Sequence, residues 1–224
     1  MLPEVYVIVM SDNEISQYYK NRIWDSWVKG GFEVKEFEAC VPSTVGKEYC
    51  GIELNFDHEK RKERRRSFTP TEIAIWYSHL GTWNLCRKLN KPIIVAEHDV
   101  LLCHPPTQEQ LEQTKKVWGL CSIPAALPCA NFCTCEDCMN IKYQRRHSAG
   151  GAYYITPDGA RSLINFSMED RITHNSDWAL YKTMSETSNV HEWWRSYQLV
   201  SSSQKTTIDH GDNFGDKAIQ KYYG

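Results

Sequence analysis

Glu97, His98 and Asp99 stand together directly after the apolar run Ile93-Ile94-Val95-Ala96. Two carboxylates two positions apart project alike if extended backbone continues through them. One hard cation shared between such a pair and a diphosphate is ordinary magnesium or manganese chemistry. The same triplet also suits a strand that ends in water, and spacing alone leaves both readings open. A second group is Cys129, Cys133, Cys135 and Cys138, four thiols within ten residues. They suit structural Zn2+, with Cys121 or His147 able to replace one ligand, although the spacing is tighter than in common zinc modules; free thiols or a redox pair are the alternatives. The third group is basic. Lys60-Arg61-Lys62-Glu63-Arg64-Arg65-Arg66 carries six cations, and Arg145-Arg146 adds a pair. Such a run is usually solvated surface, but this one precedes a well-marked helix and could face an anionic acceptor.

For the acidic triplet to be a site, something must carry it to an accessible edge. Open α/β sheets bind ligands beyond the carboxyl ends of their strands. Val5 to Met10 reads as a buried first strand followed by polar Ser11-Asp12-Asn13. A helix follows with Ile15, Tyr18 or Tyr19, Ile23 and Trp27 on one face, stopped by Gly30-Gly31. Phe32 to Phe37 alternates like a half-buried strand. Strand, helix and strand in that order predict a parallel sheet. Residues 40–66 show no period and read as a long loop.

The next helix has the strongest signals. Thr69 caps it, Pro70 takes its first position and Glu72 completes a capping box. Ile73, Trp76, Leu80 and Trp83 form its apolar stripe. Glu72 and His79, seven residues apart, fall on nearly the same side. Lys91-Pro92 opens the strand Ile93–Ala96, expected to be central and covered on both faces. Further on come a helix around Gln108–Trp118, an irregular segment over 121–147, a strand over Gly151–Ile155 and a helix from Thr156-Pro157. A short helix follows His174-Asn175-Ser176-Asp177-Trp178, and strand and turn run from Trp193 to Ile208.

The bulk numbers exclude several classes. The chain has 224 residues, which fits one larger α/β domain or at most two small ones, and 41% apolar residues with charges of both signs mixed through is globular composition. A net charge of −2 argues against coating nucleic acid by bulk electrostatics. No apolar run approaches the roughly 20 residues that span a bilayer, so no transmembrane segment is expected, and residues 5–10 are too short for a signal-peptide core. The cytoplasm is the expected compartment, where the nine cysteines stay reduced.

Five segments in order resemble glycosyltransferase family 25, the family of lipooligosaccharide and collagen galactosyltransferases. They are the first strand, Tyr6–Met10; the helix Thr69-Pro70-Thr71-Glu72-Ile73-Ala74-Ile75-Trp76-Tyr77-Ser78-His79-Leu80 with its strand and triplet; Gly150–Ala160; Ser176-Asp177-Trp178; and Ser203-Gln204 to Ile208. The resemblance implies a GT-A-like, Rossmann-related mixed sheet flanked by helices, one domain over 1–224, with 121–147 an insertion or divergent loop. It implies transfer, with inversion, of a hexose or pentose from a nucleotide-diphosphate donor, a UDP-sugar first among them. Asp99, Glu97 and His210, the last chosen over Asp209 and Asp212, would hold Mn2+ or Mg2+. Met10, Ser11, Glu72, His79, Glu97 and His98 would bind the donor. Asp177 would be the base, although capping its helix is its structural alternative. His98 departs from the family's usual Glu-Asp-Asp triplet and removes one negative charge.

The acceptor is left open between a glycan or lipooligosaccharide and a hydroxymethylated base in DNA, as in phages that sugar-coat their genomes. For such a viral or phage member the compartment would be the host cytoplasm. Two other classes compete: a non-catalytic nucleic-acid-binding protein using the cysteine cluster and basic run, and a degenerate family member that has lost transfer.

Overall fold

The computed structural model describes residues 2–62, 66–102, 105–114, 116–123, 151–169, 171–187 and 197–199. Its strands are β1 (Glu4–Val9), β2 (Val34–Glu38), β3 (Ile93–Glu97), β4 (Val100–Leu102), β5 (Leu120–Ser122), β6 (Ala152–Ile155) and β7 (Tyr197–Leu199). Its helices are α1 (Glu14–Lys29), α2 (Lys47–Cys50), α3 (His58–Lys62), α4 (Pro70–Leu89), α5 (Gln108–Thr114), α6 (Pro157–Glu169) and α7 (Ser176–Thr187). The main sheet has the order β2-β1-β3-β6-β5. β1 pairs in parallel with both β2 and β3, whereas β6 runs against β3 and β5. The sheet is therefore mixed, as a GT-A-like fold requires, and the parallel opening is its first half. Leu120–Ser122 forms an edge strand, which corrects the irregular reading of positions 121 and 122.

The period of two along the strands sorts the core onto two sheet faces. Val5, Val7, Val9, Ile94 and Ala96 pack with Ile23 and Trp27 of α1. Tyr6, Ile8, Ile93, Val95 and Tyr153 pack with α4, α6 and α7. In α1 the buried ring is Tyr19, while Tyr18 is 55% exposed. Trp27, Trp76 and Trp83 are fully buried; each withdraws roughly 150–250 Å² from water, worth about 4–6 kcal/mol at 25 cal/mol/Å².

α4 starts as its sequence dictates. Thr69 Oγ1 accepts from the Glu72 amide at 3.2 Å, and Glu72 Oε2 accepts from the Thr69 amide at 3.0 Å. Burial is wider than one stripe, because Ala74, Tyr77, Ser78, His79, Gly81, Thr82 and Asn84 are also buried. α4 packs against α6 on the same face of the sheet, and the rings of Phe37 and Tyr49 close over it at Gly81, where a Cβ would stand 2.8 Å from Phe37 Cζ. The segment read as a long loop contains α2, α3 and a 3-10 turn at Pro42–Thr44. Cys40, Cys50, Cys86 and Cys121 are free thiols. Among the described residues no helix is long and apolar enough to cross a membrane.

Candidate active site

The order of the sheet reverses around β1: β2 lies to one side and β3, reached later, to the other. Such a switch opens a crevice at the carboxyl ends of the two strands. Ile8 pairs with Glu97, so Met10 and Ser11 leave β1 at the edge where β3 ends. Both are held there: the Met10 amide donates to Ser16 Oγ at 3.0 Å, and the Ser11 amide to Glu38 Oε1 at 3.1 Å.

Alternation assigns the triplet's faces. Glu97 follows Ile93 and Val95 onto the α4 face. His98, one residue on, lies toward α1, its ring 6.2 Å from that of Tyr19. The strand does not persist to Asp99. His98 and Asp99 form a turn that leads into β4, and Asp99 Oδ1 is buried. The extended spacing that would make Glu97 and Asp99 project alike is thus replaced by a turn.

On the α4 face, Glu97 meets a buried polar group. Its Oε1 lies 3.6 Å from His79 Nε2, an ion-pair distance rather than a hydrogen bond. His79 is 1% exposed, and its Nδ1 lies 3.0 Å from the Tyr153 hydroxyl. The same hydroxyl accepts from the Trp83 indole N–H at 2.8 Å. With its oxygen receiving that proton, the phenol is free to donate to Nδ1. When the phenol donates there, the ring's own proton sits on Nε2, directed at Glu97. The Thr82 hydroxyl donates to the His79 carbonyl at 2.7 Å. Tyr153 belongs to a segment that carries the family resemblance, but its role as the partner of His79 is missed by sequence reasoning. The legible signal is its place on the same sheet face, opposite Val95.

Two neighbouring carboxyls are pushed in opposite directions. Burial raises Glu97, but the His79 ring and the charge of His98 outweigh it and hold the group below the ordinary carboxylate range. The carboxylate nevertheless keeps 34% of its side-chain surface open, as at the floor of a cleft. Asp177, in the first turn of α7, is pushed up to about 6, first by burial and then by the negative charge of Glu97, with His79 opposing. Glu97 stays ionised at neutral pH while Asp177 is poised to exchange a proton. Burial also raises the Tyr153 phenol, which keeps its proton.

Glu72 belongs elsewhere on α4. Its carboxylate closes the capping box and pairs with Arg61 at 3.3 Å and Arg66 at 2.9 Å. Seven residues of helix put it about 10 Å along the axis from His79. Three of the run's six cations are paired, Arg61 and Arg66 with Glu72 and Lys62 with Glu59, and positions 63–65 lie outside the described residues. His210 and the four cysteines, Cys129, Cys133, Cys135 and Cys138, also lie outside them. Among the described residues, no group of three or more His, Cys, Asp or Glu side chains stands together as a cation site.

The family model of glycosyltransferase family 25, described as an LPS biosynthesis protein, matches residues 3–121, just over half of the chain. The chain belongs to glycosyltransferase family 25. The matched segment contains β1 to β4, α4 and the whole acidic triplet, and it ends within β5. No curated protein matches the chain. Family membership carries a glycosyltransferase role, with a nucleotide-sugar donor and an acceptor.

Proposed function

We propose that this chain is a metal-dependent, inverting glycosyltransferase with a UDP-sugar as its first-choice donor and a glycan as its acceptor. One observation carries the reading: at the edge of the sheet, Glu97 is held ionised while its neighbour Asp177 is raised to about 6. A base with that value is half-deprotonated near pH 6, mostly in its carboxylate form at neutrality, and more basic than an ordinary carboxylate toward a hydroxyl proton. As the acceptor oxygen attacks the anomeric carbon, its proton passes to the Asp177 carboxylate. A new C–O bond forms on one face while the C–O bond to the nucleoside diphosphate breaks on the other. Met10 and Ser11 border the donor side with Glu97 and His98, and His79, fixed by Tyr153, positions Glu97.

The chemistry of the donor set suits a hard divalent ion, because Glu97 at the end of β3 and Asp99 in the turn that follows are both carboxylate oxygen donors. Asp99, Glu97 and His210 would hold Mn2+ or Mg2+, which when bound supplies charge neutralisation for the departing diphosphate. Zn2+ on the cysteine cluster would be structural and separate.

A thermal-shift panel of nucleotide sugars, run with and without Mn2+, tests this. A specific donor raises the melting temperature according to its affinity. The expected result is stabilisation by one nucleotide sugar that needs Mn2+ and is lost in Asp99→Ala. Stabilisation that ignores both the metal and Asp99 would refute the metal site. No response to any nucleotide sugar would refute the donor assignment.

A further inference from the structure

Beside the acidic group lies a cavity of about 490 Å³, within the range of about 300–1,000 Å³ typical of small-molecule sites. Trp76, Phe166, His174 and Trp178 form its aromatic wall, and Asp57, Lys60, Arg171 and Thr173 supply polar groups. The wall is preorganised. The Trp76 indole N–H donates to the His174 carbonyl at 2.9 Å, and the His174 ring stacks on Trp178 at 4.0 Å with the planes 11° apart. Thr173 Oγ1 lies 2.8 Å from His174 Nδ1. The Lys182 ammonium sits over both Phe166 and Trp178, at 4.8 and 5.3 Å.

This cavity shares its two helices with the acidic group. Trp76 lies one turn before His79 on α4, and Trp178 follows Asp177 on α7. Asp177 precedes the lining residue Trp178 in the first turn of α7, next to the cavity rather than in its wall.

We infer that the cavity is the acceptor subsite and takes a pyranose ring of an acceptor glycan, with one hydroxyl turned toward Asp177; this rests on the transferase reading above. A pyranose has C–H faces that pack on aromatic rings and hydroxyls that bond carboxylates and cations. The wall offers both. It is poorly built for a nucleic-acid backbone, which calls for several uncompensated cations. Here Arg171 is matched by Asp57 at 3.8 Å, which leaves Lys60 as the second cation of the lining.

Saturation-transfer NMR on the full chain tests the assignment, with methyl β-galactoside, methyl β-glucoside and lactose as probes and 5-hydroxymethyl-2′-deoxycytidine as the rival. At least one pyranose should receive saturation. Its Kd should rise about fivefold, the scale of one aromatic contact, in Trp178→Ala, with most affinity kept in Trp178→Phe. Trp178 is 37% exposed, so its truncation spares the core. If a nucleotide sugar stabilises the protein but no pyranose binds, or binding ignores Trp178→Ala, the subsite is wrong and the donor chemistry stands. Preference for the nucleoside also overturns it. If no nucleotide sugar binds either, the underlying reading falls first.

Discussion

Replacing Asp177 with Asn separates a catalytic base from a helix-capping residue, because the two roles predict stability changes of opposite sign. The folded protein raises Asp177 from 3.8 to about 6, a shift of about two units. Each unit is worth 1.36 kcal/mol, so the native state prefers neutral Asp177 by up to about 3 kcal/mol. A raised carboxyl contributes its stability at low pH. The contribution is complete below about pH 4 and is lost as the pH rises through about 6. At pH 8 the ionised side chain is a net cost, which Asn removes. Against this, a negative charge in the first turn of α7 gains about 0.3–1 kcal/mol from the helix dipole. The burial cost is the larger quantity, so Asp177→Asn should be more stable than the parent at pH 8 and about equal to it, or slightly weaker, at pH 4.

Differential scanning fluorimetry at the two pH values reads the stability, where 1 kcal/mol moves the melting point of a chain this size by about 2–4 °C. Release of nucleoside diphosphate in the presence of acceptor reads the chemistry. kcat/KM of the parent should rise through an apparent pKa near 6, and Asp177→Asn should lose about 10²–10⁴-fold. An Asn variant that melts earlier at pH 8 and turns over normally would refute the reasoning and leave Asp177 as a helix-end residue.

Glu97→Gln removes the negative charge that helps to raise Asp177, so a 13C-NMR titration should show the Asp177 midpoint falling below that of the parent. Tyr153→Phe leaves the buried Trp83 indole N–H and His79 Nδ1 without the hydroxyl they share; denaturant unfolding should register a loss of about 1–3 kcal/mol, and kcat should fall as His79 loses its orientation. Gly159→Ala would set a Cβ 2.3 Å from the Gly119 carbonyl oxygen, backbone that cannot step aside, so soluble yield should collapse. Gly30→Ala meets Leu102 Cδ2 at 2.5 Å, a side chain that can turn, and should be milder in the same expression assay.

Elements governed by local rules were legible in the sequence. The capping box at Thr69 and Glu72, the central strand Ile93–Ala96 and the glycines that end α1 all stand where residue type alone puts them. What was not legible depends on partners distant in sequence. The chain turns away after Glu97 because β4 joins β7 in a second small sheet and docks on α1, where the Trp27 indole N–H donates to the Val100 carbonyl at 2.9 Å. That contact spans 73 residues and has no period to announce it. Tyr153 is 74 residues from His79, and its hydroxyl completes a group whose other members lie on α4. β5 has three residues, too few for alternation to be read.

The same geometry bears on the exchange of Asp for His at position 98. Glu97 faces α4 and His79, whereas His98, first residue of the turn after β3, faces α1 beside Tyr19, so the two side chains lie on opposite sides of the sheet edge. The exchange therefore leaves the His79 contact of Glu97 untouched and reaches Glu97 through charge, where His98 helps to keep it ionised. An aspartate there would add a third negative charge to one strand end and push Glu97 upward. Glu97 would then be less often ionised, and the separation between the two carboxyls, on which a fixed anion and a titrating base depend, would narrow.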